Sequence, residues 1–331
     1  MTPEPAAVTE HARSEGLKPE RVRVVVTLPT FRRPDHLVMT LDSLQAQGAG
    51  DETAVVVMDN DAEGLEGAKA AADLGLGFHE DLAAIESHGQ LEGGGGLSQR
   101  AMKRGSKALG TLGSGNHFCE LQVVERIEDE EAAAAFGLRE GQVCAMIHTG
   151  SRGLGHQVCS DHVSALESQY RGRGDAWHSD RWDITLPDRQ LAAAPFHSRE
   201  GQAYFQAMQA AGNYAFANRS ALTQNLRDVL RQHIGGPDAE VEVLYDVCHN
   251  IAKVEQHEVH GVTCNCCVHR KGATRALGGD HPELATRFSG VGQPVLVPGD
   301  MGTASWILAG PTSGDNRAFS SSCHGAGRRL S

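Results

Sequence analysis

Near the start of the chain, two apolar runs flank a stretch with helical periodicity. Residues 22–29, VRVVVTLP, are mostly β-branched and apolar, and the later run TAVVVMDND ends in acidic residues. Between them, HLVMTLDSLQAQ places apolar residues at the spacing of a helix. This order predicts a small β-α-β lobe over residues 22–75, preceded by a disordered tail over residues 1–21.

From about residue 76 onward, short apolar runs alternate with glycine-rich or polar turns, and three runs lie beside a histidine. One turn delivers His117 directly before a strand-like run, and a second apolar run leads to His148. A Gly/Ser/Arg loop then leads to His156, and the run EVEVLYDVC closes at His249. Imidazole nitrogens suit divalent metals, so the three histidines next to strand ends, His117, His148 and His249, predict a converging metal site. A purely structural role for each of them is the alternative.

The most regular helical pattern lies in GQAYFQAMQAAGNYAFANRSALTQNLRDVLRQHI. Apolar or aromatic residues recur there at helical spacing, among them Tyr204, Met208, Tyr214, Phe216, Leu222, Leu226 and Leu230. We interpret the aromatic residues as core rather than as platforms for stacked bases. The segment LEGGGGLS, residues 91–98, predicts a flexible loop. Together the patterns predict an α+β fold with mixed sheets.

Composition and charge narrow the class of protein. The 331-residue chain is 40% hydrophobic without a long apolar run, and it has no basic start followed by an apolar stretch, so we expect a cytoplasmic protein with no membrane contact. Eight irregularly spaced cysteines favour free thiols over a disulfide scaffold. A formal net charge of −12 argues against a generally basic nucleic-acid surface, although AMKRGSK, HRKGATR and RRLS could line a local groove.

The last residues, FSSSCHGAGRRLS, place His324 in a turn of small residues. Glycine allows a backbone to approach a ligand closely, so Gly325 and Gly327 would leave space for a bulky partner such as a nucleotide beside the ring. Histidine is both a common metal ligand and a possible nucleophile. The motif alone leaves both roles open.

The N-terminal lobe resembles the opening of a GT-A-type glycosyltransferase, on the stretch VVVTLPTFRRPDHLVMTLDSL…VVVMDNDAEG. No separate D-x-D metal motif follows, so we interpret Asp59 and Asp61 as capping or turn residues rather than ligands of a sugar nucleotide. Sugar transfer by this lobe is the weakest of the functions considered.

A series of ordered motifs from residue 76 to residue 331 resembles the RtcB family of RNA ligases. The motifs are LGTLGSGNHF, HTGSRGLGHQV, DRQLAAAPFHSREGQAYFQAMQAAGNYAFANR, DVCHNIAKVE, VHRKGATRA, PVLVPGDMGTASWIL and SSCHGAGR. The resemblance implies an α+β domain with a central cleft for metal and nucleotide. It also implies a GTP- and manganese-dependent ligase that joins RNA 3′-phosphate or 2′,3′-cyclic phosphate ends to 5′-hydroxyl ends, as in tRNA splicing or RNA repair.

The same resemblance assigns roles to individual residues. His324 matches the nucleophile that carries a covalent guanylate, and His117, His148 and His249 match metal ligands. Guanylate contacts fall on Asn116, His117, Phe118, Cys119, Glu120, His249, Asn250, Pro298, Gly299, Asp300, Met301, Ser305, His324, Gly325, Ala326 and Gly327. Candidates for contact with phosphate or RNA are Arg104, Arg152, Lys271 and Arg328. The implied partners are RNA, as tRNA halves or broken ends, GTP and an archease-like activator.

Two features of the family pattern are not found in the sequence. The family places an Asp and a Cys, in a segment like DINCG, upstream of the GNH motif as manganese ligands, and it continues beyond HGAGR to a lysine that contacts guanylate. An impaired ligase is therefore one expectation, and a catalytically inactive nucleotide- or RNA-binding remnant, or a gene-fusion product, is the alternative. Cys264, Cys266 and Cys267 could replace a missing ligand, although an ordinary strand is the interpretation we favour for VTCNCCVHRK.

Overall fold

A computed structural model describes residues 68, 71–72, 75–92, 95–233, 240–299, 302–312 and 318–325. Most of the predicted N-terminal tail and lobe, including Asp59 and Asp61, lies outside these residues. So do five predicted site residues, Asp300, Met301, Ala326, Gly327 and Arg328.

The described helices are unequal in length. The α-helices are α1 (Gln99–Gly105), α2 (Glu130–Phe136), α3 (Arg152–Glu167) and α4 (Arg199–His233). Short 3₁₀ segments cover His79–Ala84, Glu86–Gly89, Arg189–Leu191 and Thr286–Phe288. At 35 residues, α4 is more than twice as long as the 16-residue α3 and dominates the helical part of the fold.

The described strands form small antiparallel sheets. In chain order they are β1 (Phe118–Val123), β2 (Val143–His148), β3 (Arg171–Arg173), β4 (Ala176–Ser179), β5 (Ile184–Leu186), β6 (Asn250–Val259), β7 (Val262–Lys271), β8 (Ala273–Arg275), β9 (Pro294–Val297), β10 (Trp306–Ala309) and β11 (Ser321–Cys323). The pairs are β1–β2, β6–β7, β8–β11 and β9–β10, and β3, β4 and β5 form one three-stranded sheet. The mixture of helices and strands confirms the predicted α+β class, while the ladders themselves are antiparallel rather than mixed.

The core is built around the middle of α4. Tyr214, Phe216, Leu222 and Leu226 are all buried, as the helical pattern predicted, and Tyr204, Met208 and Leu230 are half-buried. One apolar cluster joins α4 to α1 and α3 through Tyr214, Ala101, Leu154 and Val158, and a second joins Phe216 to Leu91 and Ile251. A helix buried on nearly every face over residues 209–222 reaches several neighbouring segments at once.

Two local predictions differ from the structure. The sequence EVEVLYDVC was expected to be a strand that closes at His249, but the ladder begins only at Asn250, and Asp246 forms an isolated parallel bridge with Ile85. The loop predicted between His148 and His156 is also short, because α3 begins at Arg152 and His156 is an exposed residue of that helix. In contrast, β7 confirms that VTCNCCVHRK is an ordinary strand.

The described residues just before position 76 pack with the rest of the core. Ala68 lies in the cluster that contains Phe216, and Ala71 lies in the cluster that contains Tyr214. Both alanines are almost completely buried, at 1% and 0% exposure. The boundary at residue 76 stays a prediction, but the packed core extends at least to Ala68.

Candidate functional site

Three histidines, each at or next to the end of a different strand, meet at one point. His148 ends β2, His249 directly precedes β6, and His324 directly follows β11. Nε2 of His148 and Nε2 of His249 lie 3.3 Å apart. Each of the three rings also offers one nitrogen as a potential metal ligand, and these three nitrogens lie within 4.8 Å of one another. The rings of His249 and His324 are stacked, with centroids 3.9 Å apart.

Backbone hydrogen bonds place His249 and His324 side by side. The N–H of Gly272, in the tight turn between β7 and β8, donates to the carbonyl of His249 at 2.9 Å, and its own carbonyl accepts from the N–H of His324 at 3.1 Å. Gly272 has a φ of 67°, a conformation that suits glycine. On the third side, β1 pairs Phe118 with His148, and the Phe118 ring packs edge-on against the imidazole with centroids 5.3 Å apart.

The environment keeps the three imidazoles neutral. Burial, and after it the electrostatic repulsion from His324, His117 and Arg219, lowers the pKa of His148 to about 4. Burial and the neighbouring His324 and His148 lower the pKa of His249 to about 3. Burial also lowers the pKa of His324. At neutral pH each ring therefore keeps an unprotonated nitrogen that can bind a metal or attack an electrophile.

His324 differs from the other two histidines in its hydrogen bonding. Both of its ring nitrogens are buried without a hydrogen-bond partner among the described residues. The backbone of Leu296 lies near the ring without reaching hydrogen-bond geometry, and it offsets part of the lowering of the pKa. Buried polar atoms are normally paired, so an unpartnered ring nitrogen here indicates a place for a ligand.

The predicted ligand His117 lies beside this group rather than within it. Its ring centroid is 5.9 Å from that of His148, and its Nδ1 lies 3.3 Å from Nη1 of Arg152. Burial, together with Arg152, lowers the pKa of His117. A Cβ atom at Gly113 would overlap the Arg152 guanidinium and the His117 ring, and its φ of 109° also favours glycine. His117 and Arg152 thus form a second, adjacent polar pair.

Several predicted nucleotide contacts converge on a residue that sequence reasoning missed. Nε2 of Gln122 donates to Oε2 of Glu120 and to Oγ of Ser305, both at 2.9 Å. Oγ of Ser305 in turn accepts from the N–H of Gly299 at 3.1 Å. Gln122 lies two residues after Glu120 on β1, so strand alternation places both on the same face. That alternation was the signal that could have identified it.

The remaining predicted contact residues differ in burial and in their hydrogen-bond partners. Asn250 uses its Oδ1 to accept from the N–H of Gly272 at 3.0 Å, and Lys271 is exposed. Arg104 donates to Oε1 of Gln157 at 3.0 Å and so joins α1 to α3. Burial, with the nearby Glu120, raises the pKa of Cys119 to about 12, which makes its thiolate scarce at neutral pH. The predicted roles of these residues stay predictions.

A cavity of about 710 Å³ opens beside the histidine cluster. His148, His249 and His324 form part of its wall, together with Gln122 and Pro298. Residues 240–247 form another part of the wall. A volume of this size is in the range of small-molecule sites. Three neutral imidazoles on the wall of such a cavity form a candidate metal and nucleotide site.

Comparison with known proteins gives a consistent result. A family model described as tRNA-splicing ligase RtcB matches residues 22–331. The tRNA-splicing ligase RtcB of Thermococcus kodakarensis is 50% identical over 270 residues, covering 80% of this chain and 54% of that protein. The RNA-splicing ligase RtcB of Mycobacterium tuberculosis is 52% identical over 267 residues, covering 80% and 59%.

A third relative, the tRNA-splicing ligase RtcB of Archaeoglobus fulgidus, is 46% identical over 290 residues, covering 86% of this chain and 58% of that protein. The chain thus spans between half and three fifths of the length of these curated relatives. The family match starts at residue 22 and so covers the whole segment 22–75 likened to a glycosyltransferase, and that likeness is not supported. None of the described helices is both long and apolar enough to cross a bilayer.

Proposed function

Because the chain belongs to the RtcB family, we propose that it is a GTP- and manganese-dependent RNA ligase that acts through a histidine-bound guanylate. Its substrates are RNA ends, a 3′-phosphate or 2′,3′-cyclic phosphate on one side and a 5′-hydroxyl on the other. The observation that carries the proposal is the meeting of His148, His249 and His324 at the wall of a cavity large enough for a nucleotide.

The residues present fit a divalent metal. His148 and His249 would hold it, because each offers an unprotonated ring nitrogen and the two Nε2 atoms lie 3.3 Å apart. When bound, the metal would offset the charge of substrate phosphates and orient the leaving group. Arg152 supplies a further positive charge near the cluster, since its guanidinium lies beside His117.

His324 would perform the covalent step. An unprotonated nitrogen of its ring attacks the α-phosphorus of GTP, an N–P bond forms, and the bond to pyrophosphate breaks. A 2′,3′-cyclic end is first opened by water, which breaks the bond between phosphorus and O2′ and leaves a 3′-phosphate. An oxygen of the RNA 3′-phosphate then attacks the phosphorus bound to His324 and releases the histidine. The 5′-hydroxyl finally attacks the RNA phosphorus and expels GMP, so that one phosphodiester forms. The lowered pKa of His324 supports its role, because a protonated imidazole has no lone pair for the first attack.

The first experiment tests the covalent step with GTP labelled at the α-phosphate. Wild-type protein incubated with Mn²⁺ should acquire an acid-labile label, and His324→Ala should reduce labelling by about 100-fold or more. His156→Ala is the matched control, because His156 is an exposed histidine on α3, outside the cluster, and its loss should leave labelling unchanged. If wild type labels no better than His324→Ala, the enzymatic proposal fails.

A second candidate function is binding of nucleotide or RNA ends without turnover. It is favoured by one feature of the cluster: in the described part of the chain, the group of potential ligands contains three histidines and no carboxylate. A neutral ligand set holds a divalent metal less firmly than one with anionic ligands. Saturable GTP binding without any covalent label would support this function over ligation.

A further inference from the structure

The distance between His148 and His249 is not set by strand pairing. His148 belongs to the β1–β2 sheet, whereas His249 precedes the β6–β7 hairpin, which is a separate sheet. Their ring nitrogens nevertheless lie 3.3 Å apart. Some contact between the two segments outside the ladders must therefore fix their separation.

Arg219, on the buried part of α4, lies between the two segments. Its Nη1 donates to the carbonyl of Thr149, the residue directly after His148, at 3.3 Å. Its Nη2 donates a long hydrogen bond to Sγ of Cys248, the residue directly before His249, at 3.9 Å. Two arms of one planar guanidinium thus contact the immediate neighbours of both histidines.

The remaining N–H group of Arg219, on Nε, also has a hydrogen-bond partner. Nε donates to Oδ1 of Asp246 at 2.6 Å, and the guanidinium lies over the Phe216 ring, 5.0 Å from its centroid. Arg219 is only 9% exposed. A buried guanidinium without its carboxylate would be costly, so the ion pair with Asp246 holds the side chain in one orientation.

Neighbouring hydrogen bonds strengthen both attachments. Asn218, the preceding residue of α4, donates to the carbonyls of Gly150 at 3.2 Å and Thr111 at 3.1 Å. On the other segment, the N–H of Cys248 donates to Oε2 of the buried Glu86 at 2.8 Å. Each histidine-bearing segment therefore has an anchor of its own, and Arg219 contacts both segments.

We propose that Arg219 is a positioning residue that sets the separation of His148 and His249 and, through it, the affinity of the site for a divalent metal. This inference rests on the proposed function, because it assumes that the imidazoles of His148 and His249 hold a metal. Arg219 acts through the backbone and thiol of the adjacent residues. A lysine could keep the positive charge, but its compact ammonium lacks the planar fork of N–H groups with which Arg219 reaches Asp246, Thr149 and Cys248 together.

The test compares Arg219→Lys with Arg227→Lys in the full chain. Arg227 is a matched control, because it is a buried arginine on the same helix, 3% exposed, that bonds Asp81 at 2.6 and 2.7 Å and the carbonyl of Val241 at 2.9 Å. Both variants should lose stability. Only Arg219→Lys should weaken Mn²⁺ binding, measured by titration, by about tenfold or more.

Two readouts separate positioning from general destabilisation. The visible spectrum of Co²⁺ bound in place of Mn²⁺ reports coordination geometry, and it should change in Arg219→Lys but not in Arg227→Lys. Equal metal affinities and equal spectra in the two variants would overturn the proposal. If Arg219→Lys does not fold, Asp246→Asn keeps an oxygen acceptor for Arg219 but removes the charge, and the same comparison with Arg227→Lys applies to it.

Hydrogen exchange without metal distinguishes failure of this inference from failure of the proposed function. In Arg219→Lys, exchange should rise over residues 146–151 and 246–251, whereas Arg227→Lys should affect the surroundings of Asp81 and Val241. If wild type binds no metal but this exchange pattern is seen, the metal-dependent function fails and the positioning of the two segments stands. An unchanged pattern over both segments overturns the role of Arg219.

Discussion

His324 lies where two chemical roles overlap. One of its ring nitrogens is within ligand distance of those of His148 and His249. The same ring is stacked on His249, and neither nitrogen has a hydrogen-bond partner among the residues that the structure describes. A metal held by the other two histidines would lie beside a nucleophile held ready for attack. A metal held by all three would leave His324 no free lone pair on its coordinating nitrogen. Metal affinity separates these arrangements.

We expect His148→Ala and His249→Ala to weaken Mn²⁺ binding by about tenfold or more, since each removes a ligand. His324→Ala should change the Mn²⁺ dissociation constant by less than about threefold, under ~0.7 kcal/mol, while abolishing the covalent label. Titration calorimetry on the three variants and on His156→Ala provides the comparison. A loss of affinity in His324→Ala as large as in His148→Ala would assign His324 to the metal instead.

The low pKa values of His148 and His249 make stability depend on pH in a defined direction. Because folding depresses both values below about 6.5, the unfolded chain binds more protons in acid. Their contribution to stability is fully present above pH 6.5 and is lost as the pH falls toward about 4 and about 3.

Metal-free protein should therefore lose stability between pH 7 and pH 5, by at most about 1.4 kcal/mol per pH unit for each histidine, less solvent screening. Urea unfolding of wild type and His249→Gln, in the presence of a chelator, measures the slope. The variant should show the shallower slope, because one such histidine is gone. Equal slopes would show that these rings titrate alike in the folded and unfolded states.

At the scale of elements, α4 connects the core to the site. Its polar side chains bind neighbouring segments directly: Gln209 donates to the carbonyl of Ala252 at 2.9 Å, and the hydroxyl of Tyr214 donates to the carbonyl of Gly105 at 2.8 Å. Arg219 lies further along the same helix. Because these contacts are spread along one rigid element, displacement of α4 would disturb the core and the histidine cluster together.

Leu222→Ala tests the role of α4 in stability. Leu222 is completely buried, so we expect a loss of about 2–5 kcal/mol in the free energy of unfolding. Gln232→Ala, at an exposed position near the end of the same helix, should change it by less than about 0.5 kcal/mol. Denaturant unfolding at neutral pH compares the two. A cost below about 1 kcal/mol for Leu222→Ala would show that the core does not depend on this face of α4.

The misplaced strand before His249 has a physical explanation. EVEVLYDV alternates like a strand, and alternation does predict extended backbone, but a ladder also needs a partner along its length. Among the described residues, the segment finds such a partner at Asp246, whose N–H donates to the carbonyl of Ala84 and whose carbonyl accepts from the N–H of Glu86. Periodicity carries no information about the partner.

At the scale of the whole molecule, a buried charge cluster joins distant parts of the chain. Glu86, 2% exposed, accepts from Nζ of Lys253 at 2.8 Å and lies 3.5 Å from Nε of Arg275. Burial raises the pKa of Glu86, but Lys253 and Arg275 together outweigh it and hold the pKa below its usual value. The carboxylate thus links the 3₁₀ segment Glu86–Gly89 to β6 and β8.

Truncation tests how far the packed core extends toward the N-terminus. Because Ala68 and Ala71 are buried against α4, a chain starting at residue 76 should be less stable than one starting at residue 68, by about 1–2 kcal/mol. Thermal and urea unfolding of the two truncated chains measure the difference. Identical transitions would support the predicted domain boundary at residue 76.

The sequence by itself determined the local elements and the family. Helical periodicity identified α4, an alternating run identified β1, and an apolar run identified β2. The ordered motifs pointed to RtcB, because these signals lie within short stretches of chain. It also named His148, His249 and His324 as chemically important.

Only the tertiary structure decided which of these residues meet. His148, His249 and His324 are separated by 101 and 75 positions, and their separation in space depends on how three separate sheets are arranged around them. The same packing places His324 rather than His117 within ligand distance of the other two histidines. It also gives Arg219 its contacts on both sides. Local periodicity cannot specify such distances, because they arise from contacts between segments that are remote along the chain.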